Sequence, residues 1–341
     1  MGAEVAGSAP ILAMVIFEMR RFEKGKLVTG IQGQIGWGIL RTPAMPIATT
    51  QKHPLAEVFG FPPAANDTAA KRHRNKRLCP FNNKVPNCTK DKAQDPLGVC
   101  SVIHGKDIAI TCPVRFRQDW LIADHAADFF FPAGTNWTTL TEVRLKDADG
   151  GSAGNIDVVL CAYDDQGRVY DFGALEVQAV YISGNVRNPF AHFMDSPGTR
   201  AEMDWTQEPN YPRPDYLSSS RKRLAPQLLF KGGILHAWKK KSAVAIDRTF
   251  FNTLPEIPSV PREESDFALL IYDLLPPAIP GGQYQLSLAS TVYTSFIQAL
   301  SVITTPRVGR VEDFIRDLQS KVDEKLESAP INRTIESPLD R

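Results

Sequence analysis

The sequence predicts a mixed α/β fold, a β-sheet flanked by helices, with a cysteine-rich metal-binding segment on its N-terminal side. Four of the five cysteines, Cys79, Cys88, Cys100 and Cys112, fall within one 34-residue window. An alternating run at 141 to 146, followed by two further runs set off by turn-rich stretches, reads as consecutive strands. An apolar helical pattern followed by another β-like run supplies the crossover that a mixed sheet requires.

A chain of 341 residues can bury one large core or two modest ones. Its formal net charge of +1 neither demands nor excludes a nucleic-acid partner, so local clustering has to decide. The longest apolar stretch near the start, 9 to 17, contains Pro10 and is too short to span a bilayer; Glu4 precedes it where a signal peptide carries basic residues. A cytoplasmic protein is expected.

Residues 1–52 show no sustained period and are expected to form a poorly ordered extension, within which Met14 and Met19 could also be initiating residues. The ordered protein is expected from His53, where Leu55, Val58, Phe59 and Phe61 make an apolar cluster that Pro62 and Pro63 close. Residues 53–118 form the cysteine segment, 119–330 a second and larger domain, and 331–341 a frayed tail. Five fixed positive charges at 71 to 77, just before Cys79, read as a solvated loop that could also touch phosphate.

Within the larger domain, 141 to 146 alternates with Glu142, Arg144 and Lys146 on one face and Val143 and Leu145 on the other. A turn-rich stretch, 147 to 154, leads to a second strand at 156 to 163. Asp164-Asp165-Gln166-Gly167 turns into a third, roughly 168 to 182, completing a meander. Leu224, Leu228, Leu229 and Leu235 fit a helix starting near Pro226, weakened by Gly232-Gly233, and a short strand follows at 243 to 246. Further strands are expected at 267 to 274 and 284 to 292. An amphipathic helix follows Pro306, with Val311, Phe314, Ile315, Leu318, Val322 and Leu326 on one stripe.

The cysteines are separated by eight, eleven and eleven residues, unlike the paired spacing of zinc ribbons. Proline after Cys79 and Cys112 stiffens both ligand loops. Four thiolates close a tetrahedral site with no open position, so the metal they bind is structural, and iron and zinc both suit it. Four unrelated buried thiols are the alternative. Cys161, inside an apolar strand, reads as core, and the six histidines read as ordinary surface or core residues.

Asp157 on the second strand and Glu176 on the third can approach each other across the meander. Gln178 shares the face of Glu176, and Glu142 on the first strand offers a third carboxylate. Converging carboxylates suit Mg²⁺, which could polarise a phosphodiester and lower the pKa of a bound water. Surface acids on a meander are the plain alternative.

The segments 78–81 (Leu-Cys-Pro-Phe), 87–90 (Asn-Cys-Thr-Lys), 98–102 (Gly-Val-Cys-Ser-Val), 111–115 (Thr-Cys-Pro-Val-Arg) and 172–178 (Phe-Gly-Ala-Leu-Glu-Val-Gln), in this order, resemble the NotI-like type II restriction endonucleases. The resemblance covers His53 to the C-terminal helices. It implies a restriction-endonuclease-like mixed sheet of the PD-(D/E)xK superfamily, with 119–330 as the catalytic domain. It also implies a Mg²⁺-dependent homodimer that cuts double-stranded DNA at a GC-rich palindrome, and a structural iron held by Cys79, Cys88, Cys100 and Cys112. Asp157 and Glu176 then bind Mg²⁺, Gln178 takes the place of the usual lysine, and Glu142 is a further active-site acid. The motif's proline is absent, Ile156 preceding Asp157. A DNA methyltransferase that shields the host's sites is the expected functional partner. A non-catalytic sequence-specific DNA-binding protein with a structural four-cysteine metal site remains the rival reading. Guanine-reading candidates are Arg115, Arg117, Arg187, Arg221, Arg223 and Lys239 to Lys241.

Overall fold

The computed structural model describes residues 52–328 except 83, 93 and 280. The expectations for residues 1–51 and for the tail lie outside the described residues. Six strands build the central sheet: β1 (Trp137–Lys146), β2 (Ser152–Tyr163), β3 (Val169–Gln178), β4 (Ser242–Asp247), β5 (Phe267–Leu275) and β6 (Gln285–Thr294). They lie side by side in chain order. The first three form the expected antiparallel meander, β4 and β5 run parallel to β3, and β6 returns antiparallel, so the sheet is mixed.

Its middle strands are apolar on both faces because helices and loops cover both. One face presents Val244, Ile246, Phe267, Leu269 and Ile271, the other Leu175, Val177, Ala245, Leu270 and Tyr272. The second is capped by the helix Leu121–Phe130, which buries Ile122, Ala126, Phe129 and Phe130. Strand β1, at the edge, keeps a period of two, with Glu142, Arg144 and Lys146 exposed as the alternation predicts.

The crossover from β3 to β4 departs from expectation in two places. Strand β3 ends at Gln178, four residues early; 181 to 183 pair instead with Arg213–Asp215 in a separate ribbon. The crossover helix begins at Tyr216, ten residues before the expected start, and winds to Ala237 with Pro226 inside it. Proline is tolerated because Ser220–Leu224 and Leu228–Gly232 adopt the wider π winding, in which Ala225 donates to Ser220 and Gly233 to Leu228, each five residues back.

The N-terminal part of the described chain packs on the same core. Leu55–Val58, Val99–His104 and Asp107–Ile110 make a small antiparallel sheet. Its Leu55, Val58, Val99 and Val102 join the cluster of Val244 and Phe267. Asp247 ties it to the end of β4, accepting from the Ile110 amide at 3.1 Å while capping the next helical turn through Thr249 and Phe250. Burial pushes the Asp247 carboxyl up to about 6, against the pull of those hydrogen bonds.

The basic run is a helix, not a loop. Thr68–Lys76 starts at Asp67, whose carboxylate accepts from Ala70 N at 2.7 Å. Arg74 on it is buried, donating to the carbonyls of Ala65 and Pro62 at 2.6 Å each, and so belongs to the scaffold. Arg115 is likewise no base reader. With Glu57 it forms an ion pair at 3.0 Å whose two side chains are both 0% exposed. Its remaining donors go to Gln118 Oε1 and the Tyr284 carbonyl, each at 2.8 Å, and Ser101 Oγ donates to Glu57 at 2.7 Å. All the charge is matched by hydrogen bonds, which burial demands.

The C-terminal helix, Val311–Glu327, forms where its stripe predicted, yet none of its residues is buried. Val311, Phe314, Ile315, Leu318, Val322 and Leu326 remain 46 to 63% exposed in the single chain. The helices Arg187–Asp195 and Phe296–Thr304 have no counterpart in the expected elements. Among the described residues no helix is long and apolar enough to cross a membrane.

Truncating the buried cation should be costly. Arg115→Met leaves Glu57 charged and alone in the core, and urea unfolding is expected to register a loss of about 3–5 kcal/mol; a loss under about 1 kcal/mol, the range of surface pairs, would refute this account of the pair.

Candidate functional site

The ladder between β2 and β3 runs from Tyr163 opposite Val169 to Val158 opposite Leu175, and there it stops. Strand β3 continues beside β4, with Glu176 opposite Val244 and Gln178 opposite Ile246. Where β2 leaves, the Asp157 side chain takes over the missing backbone acceptor: Val177 N–H donates to Asp157 Oδ2 at 2.8 Å. The side chains of Asp157 and Glu176 meet across this split, closely enough for the Asp157 charge to act on Glu176.

Glu142 approaches from the other side. Thr141 pairs with Val158 and Val143 with Ile156, which places Glu142 across from Asp157. Its φ of +57° is unusual for a side chain of this size, and such strain recurs at functional positions. Glu142 is 52% exposed and lies 4.0 Å from Arg117.

Glu176 is only 6% exposed. Burial and the neighbouring Asp157 charge raise its carboxyl to about 8, while Lys231 pulls in the opposite direction. Lys231 Nζ donates to Glu176 Oε2 at 2.5 Å and to the Asn155 carbonyl at 2.8 Å. Glu176 Oε1, also buried, has no hydrogen-bond partner. A buried carboxylate oxygen left open beside a second carboxylate fits a hard cation. Gln178 is 0% exposed, and its amide nitrogen donates to the Ala179 carbonyl at 3.0 Å.

Lys231 was not singled out from the sequence, although a signal exists. Leu224, Leu228, Lys231 and Leu235 recur at helical spacing, and all four are buried. A lone cation on the apolar stripe of a helix requires a buried partner.

The cysteines are brought together in pairs. An isolated bridge between Leu78 and Asn87, with Cys79 N donating to the Pro86 carbonyl at 2.8 Å and Cys88 N to that of Arg77 at 2.9 Å, closes the loop holding the first two. The hairpin brings Cys112 back to Cys100, whose carbonyl accepts from Cys112 N at 3.1 Å. Gly60, at φ +83°, lies under Pro80 of the first loop; a Cβ there would stand 2.3 Å from the proline ring. None of the cysteines is in a disulfide.

Burial raises the Cys79 thiol to about 11 and lifts Cys88 and Cys100 as well, and the proximity of Cys112 adds to the rise of all three. Four soft donors so gathered suit a metal that displaces their protons. Among the described residues, no three Cys, His, Asp or Glu side chains form a closed ligand cluster; the thiols are neighbours, not a finished tetrahedron.

The loop of Cys79 and Cys88 also walls the acidic edge. A cleft of about 410 Å³ is lined by Asn82, Lys84 and Thr89 from this segment, by Glu142, Asp157 and Val177 from the sheet, and by Arg117. The cysteine loop therefore shares a surface with the carboxylates, whereas the sequence suggested a separate brace.

The family model for restriction endonuclease NotI matches residues 65–286, more than half of the chain and every residue of this site. The chain belongs to that family. DNA is thus the molecule it binds, and cleavage at specific sequences is the reaction class. No curated protein matches the chain.

The raised Glu176 carboxyl has a measurable consequence. Its folded pKa lies above the ordinary value of 4.5, so the stabilisation from the held proton is complete below 4.5 and lost as pH rises to about 8. Without added divalent metal, the parent should lose stability relative to Glu176→Gln as pH rises from 4.5 towards 8, read by urea unfolding. A pH-independent difference would contradict the burial argument.

Proposed function

We propose that the chain is a type II restriction endonuclease with a restriction-endonuclease-like sheet of the PD-(D/E)xK superfamily, hydrolysing phosphodiester bonds of double-stranded DNA at a GC-rich palindrome. The observation that carries this reading is the convergence of Asp157 and Glu176 where the β2–β3 ladder splits, with Asp157 lining a cleft that also holds Lys84 and Arg117. Asp157 and Glu176 hold Mg²⁺, with Glu142 across the cleft as a further acid. Mg²⁺ in such a site supplies Lewis-acid stabilisation of the phosphorane charge and acidifies a water.

The chain's own contribution is placement. Asp157 is held by the Val177 amide, and Glu176 by Lys231, so neither carboxylate has to reorganise when DNA arrives. Gln178 is the neutral member of the set; an amide cannot act as a base, so deprotonation of the water falls to a substrate phosphate or to the solvent. Lys84 and Arg117, at the cleft, suit phosphate contact. Cys79, Cys88, Cys100 and Cys112 bind a structural iron that sets the shape of the cleft's outer wall, zinc being the alternative. A cut in both strands of a palindrome needs two related active sites, hence a homodimer. Such an enzyme works in the cytoplasm beside a DNA methyltransferase that protects the host's own sites.

Incubation of a plasmid of known sequence with the protein and Mg²⁺ should yield discrete fragments whose ends map to one palindrome. Asp157→Ala or Glu176→Ala should lower the rate by on the order of 10³-fold or more, while binding to the same duplex in Ca²⁺ survives. A double alanine variant that still cuts, or a parent that binds the duplex and never cuts it, would exclude the nuclease assignment; the second outcome is that of the non-catalytic reading.

Elemental analysis of the purified protein should find iron stoichiometric with the chain, and Cys100→Ser or Cys112→Ser should lose it together with folded structure in the segment. Retention of full metal by both serine variants would contradict the ligand assignment.

A further inference from the structure

The geometry points to Lys231 as a positioning residue of this site: by gripping one oxygen of Glu176 it turns the other toward the divalent cation. The inference rests on the nuclease reading above and deepens it.

Lys231 comes from the crossover helix, 55 residues from Glu176 in sequence. Its ammonium donates to Glu176 Oε2 at 2.5 Å and to the Asn155 carbonyl at 2.8 Å, two fixed acceptors that leave it little freedom. Both side chains of the pair are 8% exposed. The same carboxylate's Oε1 is buried and unpartnered next to Asp157. The grip thus distinguishes two chemically equivalent oxygens, committing Oε2 to the protein and Oε1 to a ligand.

One local feature delivers the lysine. It sits in the π-wound stretch Leu228–Gly232, and such insertions recur at functional sites because they re-aim a side chain relative to the helix face. Gly154, whose φ of +108° is a backbone conformation that side chains rarely adopt, lies against the aliphatic stem, where a Cβ would meet Lys231 Cδ at an ordinary contact distance of 3.6 Å. No other cation bonds to Glu176 among the described residues. Gln178, which shares its strand, has its amide nitrogen on the Ala179 carbonyl.

A purely structural counter-ion would neutralise the buried acid and do nothing else, so the test separates metal binding and turnover from stability. Lys231→Met and Lys231→Arg are compared with the parent in three measurements: Mn²⁺ binding to the DNA-free protein by electron paramagnetic resonance, duplex binding in Ca²⁺, and steady-state cleavage in Mg²⁺. For Lys231→Met the expected result is Mn²⁺ binding weakened about tenfold or more and kcat reduced about a hundredfold or more, with KM and Ca²⁺-supported DNA binding within about threefold. Lys231→Arg keeps a charged donor and should recover at least about tenfold of the lost kcat. Unchanged Mn²⁺ affinity in Lys231→Met, or cleavage within about threefold of the parent, overturns the proposal.

Should Lys231→Met fail to fold by circular dichroism, Glu176→Gln with Lys231→Met, which removes both charges, is compared with Glu176→Gln alone. Equal Mn²⁺ affinity of the two supports action through Glu176, and a further loss in the double variant overturns it. A parent that cuts no DNA sinks the nuclease reading, whereas the Mn²⁺ titration still judges the role of Lys231.

Discussion

The Glu57–Arg115 pair is the contact on which the arrangement of the cysteine segment depends. Arg115 lies three residues beyond Cys112, its guanidinium stacks on Phe81 at 4.2 Å, two residues beyond Cys79, and it reaches the backbone of Tyr284 beside β6. Glu57 fastens it to the first strand of the small sheet. A fully buried ion pair is no cheap source of stability, since desolvation offsets most of its attraction. What it does supply is geometry, because any alternative packing of the loops strands a charge in the core. The cysteine loops are held against the sheet by this pair and by Asp247, and their outer side forms a wall of the cleft.

Within the site a second buried charge is handled in another way. In the Glu57–Arg115 pair both carboxylate oxygens and all three guanidinium nitrogens have hydrogen-bond partners. The Glu176–Lys231 pair is left one oxygen short. The first arrangement is that of a scaffold, complete without a ligand; the second leaves one oxygen open, as the proposed cation site requires. The split between β2 and β3 makes the difference, because it replaces a backbone acceptor by a carboxylate and so gathers negative charge where these two strands part.

The fold was legible where the pattern is local. The alternation in 141 to 146, the turn at 164 to 167 and the apolar run at 243 to 246 depend on neighbours in sequence, and those strands formed where the pattern placed them. The crossover helix starts earlier than its pattern suggests because Pro226 reads as a first residue, and π winding, a tertiary accommodation, carries the helix through it. The basic run was read as a loop because its charges masked a good cap at Asp67. Arg74 and Arg115 were counted among the available cations because a sequence cannot show which arginine finds buried acceptors.

The sequence by itself determined which groups could carry the chemistry: four cysteines in one window, and Asp157, Glu176 and Glu142 on successive strands, the antiparallel turns bringing the acids to one edge. Side-chain alternation and short turns are properties of a few adjacent residues, so no further information was needed. Only the tertiary structure decided that Lys231 meets Glu176, that Gln178 spends its amide nitrogen on a neighbouring carbonyl, and that the cysteine loop forms a wall of the acidic cleft. Those outcomes rest on contacts between segments tens of residues apart, where burial, not spacing, selects the partner.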